Sequence, residues 1–141
     1  MTKITKVHAR QVFDSRGNPT IEAEVILENN IKASSIVPSG ASTGAFEAHE
    51  LRDNDKNYFM GKSVFKAIKN VNSIISEKII NLNPNDQEKI DDILLKLDGT
   101  ENKSNLGANS LLAVSLAVKK ASITLNKENY LDTKKDFFLP F

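Results

Sequence analysis

Thr20-Ile21-Glu22-Ala23-Glu24-Val25-Ile26-Leu27 decides the fold. In an extended chain Ile21, Ala23, Val25 and Leu27 fall on one side and Thr20, Glu22 and Glu24 on the other. A period of two is that of a strand buried on one face. Upstream lies a β-prone stretch, Ile4 to Phe13, joined to it by Asp14-Ser15-Arg16-Gly17-Asn18-Pro19, a run of turn-forming residues. Downstream, Glu28-Asn29-Asn30 supplies a second turn, and Ile31, Ala33, Ser35 and Val37 form a third alternating run that stops at Pro38. The first forty residues predict a three-stranded antiparallel meander.

Beyond Gly61 the period changes. Val64, Ile68, Val71, Ile75 and Ile79 repeat at helical spacing, with Ser63 placed as a cap. Asn85-Asp86-Gln87-Glu88 has the form of a capping box and opens a helix whose stripe is Ile90, Ile93, Leu94 and Leu97, ended by Gly99. A last helix, from about Leu106 to Leu125, is rich in Ala, Leu and Val around most of its circumference, as expected of one buried on several sides. The fold class is therefore α+β, a three-stranded antiparallel β-meander followed by a helical subdomain.

Residues 126–141 lose this periodicity and finish Phe137-Phe138-Leu139-Pro140-Phe141. Such an apolar end either docks on the domain's own surface or belongs to a longer chain whose next element covers it.

Composition narrows the chemistry. The 141 residues carry 19 basic and 18 acidic side chains, so no net field gathers phosphate backbones and nucleic acid is not an expected partner. A chain of this length buries roughly 68–70% of its unfolded surface and needs no covalent staples. The absence of cysteine excludes disulfides, thiolate metal sites and cysteine nucleophiles. Met1 to Lys6 is not a secretory signal, and no segment reaches the ~18 apolar residues of a membrane span. A cytoplasmic location is expected, which makes the Asn102-Lys103-Ser104 sequon a chance match.

Pro38-Ser39-Gly40-Ala41-Ser42-Thr43-Gly44-Ala45 offers a core almost nothing to bury. Its glycines admit close approach of backbone amides to an anion, and its hydroxyls suit phosphate or a hard cation, so an anion site, a cation site and a plain surface loop all stay open. A nucleoside-triphosphate loop is excluded, because Ala45-Phe46-Glu47 stands where Gly-Lys-Ser/Thr is required. No Gly-x-Gly-x-x-Gly follows a strand. Glu47, Glu50, Arg52, Asp53 and Asp55 crowd just after the loop as metal ligands, an acid–base pair or a salt-bridge network. His8 and His49, the only histidines, fall in different elements and make no zinc site. Lys66, Lys69 and Lys78 read as a solvated helix face. The residues alone supply no self-sufficient catalytic set.

Particular strings go further. Residues 9–22, Ala-Arg-Gln-Val-Phe-Asp-Ser-Arg-Gly-Asn-Pro-Thr-Ile-Glu, and 36–44, Ile-Val-Pro-Ser-Gly-Ala-Ser-Thr-Gly, resemble the opening signatures of the enolases. The resemblance continues through Glu47 to Asp53, Met60-Gly61-Lys62, Leu97 to Thr100 and Asn102 to Asn109, so ordered motifs cover residues 3 to about 125. It implies an amino-terminal capping domain over residues 1–125, with 126–141 a linker toward a carboxy-terminal α/β barrel that this chain lacks.

The activity so implied is the glycolytic lyase reaction, reversible dehydration of 2-phosphoglycerate to phosphoenolpyruvate with two Mg2+ ions. That chemistry belongs to the resemblance and not to the residues read above. A barrel lysine and glutamate move the protons, so no catalytic residue is expected in this chain, and no turnover from it alone. Gly40, Ala41, Ser42 and Thr43 match the family's closing lid, and Ser42 the serine whose oxygens bind the second Mg2+. Arg10 and Glu22 match subunit-interface positions and imply a homodimer of the complete enzyme, although either could simply be solvated on a strand. Arg16 is expected to pair across to the barrel. Residues 127–136 depart from the family pattern. Two other readings stand beside this one: a free-standing module that docks on a separate barrel or protein, and a paralogue without function.

Overall fold

In the computed structural model residues 2–37 and 49–136 are described, with side chains described as far as Tyr130. The three alternating runs become β1 (Ile4–Phe13), β2 (Pro19–Leu27) and β3 (Lys32–Ile36), an antiparallel sheet in the order β1-β2-β3. Pairing of Ala9 with Ala23, and of Ala23 with Ser35, sets the register. Ile21, Ala23, Val25 and Leu27 are then all buried, together with Ile4, Val7 and Ala9. A one-residue slip would turn this row of β2 side chains to water, which is why the register is unique.

The first turn is built by one carboxylate. Asp14 Oδ1 accepts from the backbone N–H groups of both Arg16 and Asn18 at 2.9 Å.

The outer edge of β1 is closed by the helical half. Asn72 Oδ1 accepts from Ala9 N at 2.7 Å while its Nδ2 donates to Ala9 O at 3.2 Å, so one side-chain amide does the work of a neighbouring strand. Nearer the start of the strand, Ile4 N donates to Leu82 O and Asn81 N to Ile4 O.

The helix expected after Ser63 is a rod in three pieces: α1 (Phe65–Asn70), a π-turn (Val71–Ile75) and α2 (Ser76–Ile79). Its buried apolar residues are Val64, Ala67, Val71, Ile75 and Ile79, with Ile68 only partly covered. From Ala67 onward they recur every four residues, which overruns a 3.6-residue turn, and one wide turn brings the stripe back toward the core. Ser63 is not the cap. Asp53 Oδ2 and Oδ1 accept from Phe65 N and Lys66 N, both at 2.9 Å, so the orphan amides are satisfied from twelve residues upstream.

In α3 (Gln87–Asp98) Ile90 and Leu94 are buried, with Ile93 and Leu97 partly so. The expected capping box does not form. Asp86 is the N-cap and makes no side-chain cap bond, while Asn85 Oδ1 accepts from Ser122 Oγ at 2.6 Å and ties the start of α3 to the next helix. Gly99 ends α3 at φ +72°, its N–H donating to Leu95 O at 3.0 Å.

The last helix, α4 (Ala108–Asp136), lies across β2 and β3 with α3 and α1 beside it. No residue from Ala108 to Val118 is exposed, as its composition led one to expect. It does not stop near Leu125. Residues 126–136 contain neither Gly nor Pro, and helix-forming Lys and Glu carry it on while Asn126 to Tyr130 face water.

Candidate functional site

Gly40, Ala41, Ser42, Thr43 and Glu47 lie outside the described residues, and so do Ser39 and Gly44. The structure describes both flanks of that stretch. On the side of β3, Val37 is buried; its N–H donates to Ile21 O at 3.0 Å, and its carbonyl accepts from Thr20 Oγ1 at 2.8 Å. That flank belongs to the sheet.

The other flank belongs to the helices. His49 N donates to Asn102 O at 2.6 Å, and His49 O accepts from Ala108 N at 2.7 Å. Leu51 N donates to Asn109 Oδ1 at 3.0 Å, and Asn109 Nδ2 donates to Leu51 O at 3.1 Å. Asn109 is 2% exposed, and this is the second amide in the domain to pair like a strand. Gly107 makes room for it: a Cβ there would stand 2.5 Å from Leu51 Cβ and 2.7 Å from Asn109 Oδ1, on a backbone at φ +96°.

The connection from Gly99 to Gly107 that supplies these partners is organised around Asp98, itself buried. Its Oδ2 accepts from Leu106 N at 2.7 Å and its Oδ1 from Thr100 N at 3.0 Å and from the Thr100 hydroxyl. Thr100 Oγ1 in turn accepts from Ser104 N at 2.9 Å. Burial disfavours the charged carboxylate, but the N–H of Leu106 and the O–H and N–H of Thr100 outweigh it and hold Asp98 below its ordinary pKa.

The described members of the acidic cluster have local partners. Arg52 pairs with Glu50 at 2.8 Å and donates to Pro19 O at 2.8 Å, bracing the sheet turn against the segment after residue 48. Asp53 caps α1, and Asp55 accepts from Asn57 N at 3.0 Å. Among the described residues no group of three His, Cys, Asp or Glu side chains is placed to hold a metal ion. His8, opposite Glu24 on β1, and His49, beside Asn102, sit in separate parts of the fold.

Arg10 and Glu22 face each other across β1 and β2, 3.3 Å apart, and Arg10 also approaches Glu24 at 3.7 Å. The Arg10 side chain keeps 47% of its surface open. Arg16 donates its backbone N–H to Asp14.

Three features escaped the sequence reading. Asp98 and Asn109 stand within strings that carry the family resemblance, but nothing in those strings shows what their side chains hold. Phe59 and Met60 carry successive positive φ values of 48° and 54°, leave 47% and 83% of their surface exposed, and set the Phe59 ring edge-on to Phe13 at 5.2 Å. Only Gly61 in the neighbouring sequence hints at that backbone.

Among the described residues no helix is long and apolar enough to cross a membrane. A family model described as "Enolase, N-terminal domain" matches residues 4–130. The chain is 64% identical over 124 residues to the enolase of Ehrlichia canis, a match covering 87% of this chain and 30% of that protein. To the enolase of Ehrlichia chaffeensis it is 60% identical over 119 residues, covering 84% of this chain and 28% of the relative. It thus spans about 30% of the length of these relatives. With the meander, the helices behind it and this similarity along most of its residues, the chain belongs to the enolase family and corresponds to its amino-terminal domain.

Proposed function

We propose that this chain is the capping domain of a glycolytic lyase that reversibly dehydrates 2-phosphoglycerate to phosphoenolpyruvate. The observation that carries the reading is the match over residues 4–130, together with 64% identity to a protein named enolase. The rest of that enzyme, an α/β barrel, supplies the groups that move protons. This chain binds and orients, and alone it has no turnover.

Its contribution centres on Ser42, with Gly40, Ala41 and Thr43 shaping the lid around it. A serine oxygen suits Mg2+, a hard cation that prefers oxygen donors. When bound, Mg2+ stabilises the negative charge that develops on the substrate. Closure of the lid excludes water around that charge. The same proposal includes a cytoplasmic homodimer with Arg10 and Glu22 at the subunit boundary; within one chain their ion pair leaves Arg10 half open to a further partner.

The test has two arms. The purified 141-residue chain, freed of host enzyme, is expected to form no phosphoenolpyruvate, and measurable turnover would overturn the assignment of roles. In the full-length enzyme, Ser42→Ala is expected to lower kcat by roughly 10- to 100-fold and to raise the Mg2+ concentration needed for half-maximal rate. An unchanged Mg2+ profile would remove Ser42 from the site.

A further inference from the structure

The two edges of the sheet are finished differently. In an antiparallel ladder the backbone groups of successive residues point alternately to the two sides of a strand. Val37 N donates to Ile21 O and Leu27 N to Ile31 O, so the odd-numbered residues of this stretch spend their groups on β2. Lys32, Ser34 and Ile36 therefore turn theirs outward. On β1 the residue turned outward in the same sense is Ala9, and Asn72 takes both of its groups. On β3, among the described residues, the N–H and C=O of Lys32, Ser34 and Ile36 have no partner.

Little else defends this edge. All three residues are exposed, Ile36 at 48%, and β3 contains neither a proline nor a bulge. Only its five-residue length and the charge of Lys32 act against pairing. That charge also selects the arrangement. Two copies of β3 stacked parallel and in register would set Lys32 against Lys32, and like charges directly opposite are unfavourable. About a two-fold axis through Ser34 the copies run antiparallel, and Lys32 of each falls opposite Ile36 of the other. The aliphatic stem of the lysine then covers the exposed isoleucine, while its ammonium is directed toward Glu22, the β2 neighbour of that Ile36. In this register Ser34 exchanges both bonds with its counterpart, and Lys32 does so with Ile36. Every outward group is satisfied.

The helices permit the approach. Because α4 lies across β2 and β3, and strands are spaced about 4.8 Å, the α4 helices of the two copies come to stand about 10 Å apart. Helices pack at about that distance.

We infer that the outer edge of β3 is an interaction surface for a second copy of this chain, paired antiparallel about Ser34 into one continuous sheet. Assembly stops at two. The edges left outermost are those of β1, where Asn72 holds Ala9 and the backbone of Asn81 and Leu82 holds Ile4. This contact is separate from the one proposed at Arg10 and Glu22 for the complete enzyme, and it does not depend on the reading of Ser42. It is small, so the association is weak.

Sedimentation equilibrium of the 141-residue chain, taken to millimolar concentration, is expected to pass from the monomer mass to twice that mass and no further. Ser34→Pro removes the central donor. That N–H has no partner inside the chain and proline is tolerated on edge strands, so this variant should stay monomeric with a near-native urea midpoint. Ile36→Lys leaves the backbone untouched and meets Lys32 of the other copy twice in each dimer. It should raise the dimer dissociation constant roughly 10-fold, and adding Lys32→Glu should restore it, since opposite charges then face each other. Amide exchange at Lys32, Ser34 and Ile36 should slow as concentration rises, whereas Ala33 and Ser35, already bonded to β2, should change little. A native chain that remains monomeric throughout would overturn the inference. So would association of Ser34→Pro equal to that of the native chain, growth beyond two copies, or a double variant no better than Ile36→Lys.

Discussion

Asp98 shows how one carboxylate organises a connection. Because hydrogen bonds hold its pKa below the unfolded value of about 3.9, its stabilising contribution is complete above that value and is lost as pH falls through the lower, folded one. Urea midpoints of the native chain should thus drop below about pH 4, and Asp98→Asn should flatten part of that drop while costing about 1–3 kcal/mol at neutral pH. Gly107→Ala acts on the neighbouring contact. Its methyl would meet Leu51 Cβ and Asn109 Oδ1 well inside contact distance, on a left-handed backbone, so we expect a loss of about 1–3 kcal/mol by chemical denaturation. A loss below about 0.5 kcal/mol would mean that the contact of Asn109 with Leu51 yields easily. By contrast, Arg10→Ala removes a half-open cross-strand pair and should cost no more than about 1 kcal/mol in the isolated chain.

At the scale of elements, what could be read in advance was whatever repeats. Ile21, Ala23, Val25 and Leu27 announced β2 because their period is a local property of the chain, and Gly99 announced the end of α3 for the same reason. Helix starts were misplaced because partners distant in sequence override local cap chemistry. Ser63 had the right chemistry next to α1, yet Asp53 occupies both amides, and Asn85 was drawn away by Ser122. Asp53→Ala should accordingly cost about 1 kcal/mol, whereas Ser63→Ala should cost little, since its hydroxyl reaches Tyr58 O only at 3.4 Å. Similar losses in the two variants would restore Ser63 as the cap. The end of α4 was missed for another reason: from Asn126 to Tyr130 the helix has no buried face, and periodicity reports burial and not helicity. Of the candidate site, strand alternation placed Arg10 and Glu22 on polar faces, but neither their ion pair nor the contact of Asn109 with Leu51, which joins residues 58 apart in sequence, leaves a local trace.

For the molecule as a whole, polar contacts among the described residues join the sheet to the segments packed against it where backbone groups would otherwise lack partners. The amide of Asn72 against Ala9 has a consequence beyond stability. A small sheet ends in strands whose free edges can recruit strands from other molecules. By occupying the middle of that edge with a side chain from its own helical rod, the domain denies foreign strands a template. Asn72→Ala should unlock it: at high concentration the variant is expected to form thioflavin-positive fibrils sooner than the native chain, even where their melting temperatures are nearly equal. Equal lag times would show that the bonds from Asn81 and Leu82 to Ile4 already guard the strand against self-association.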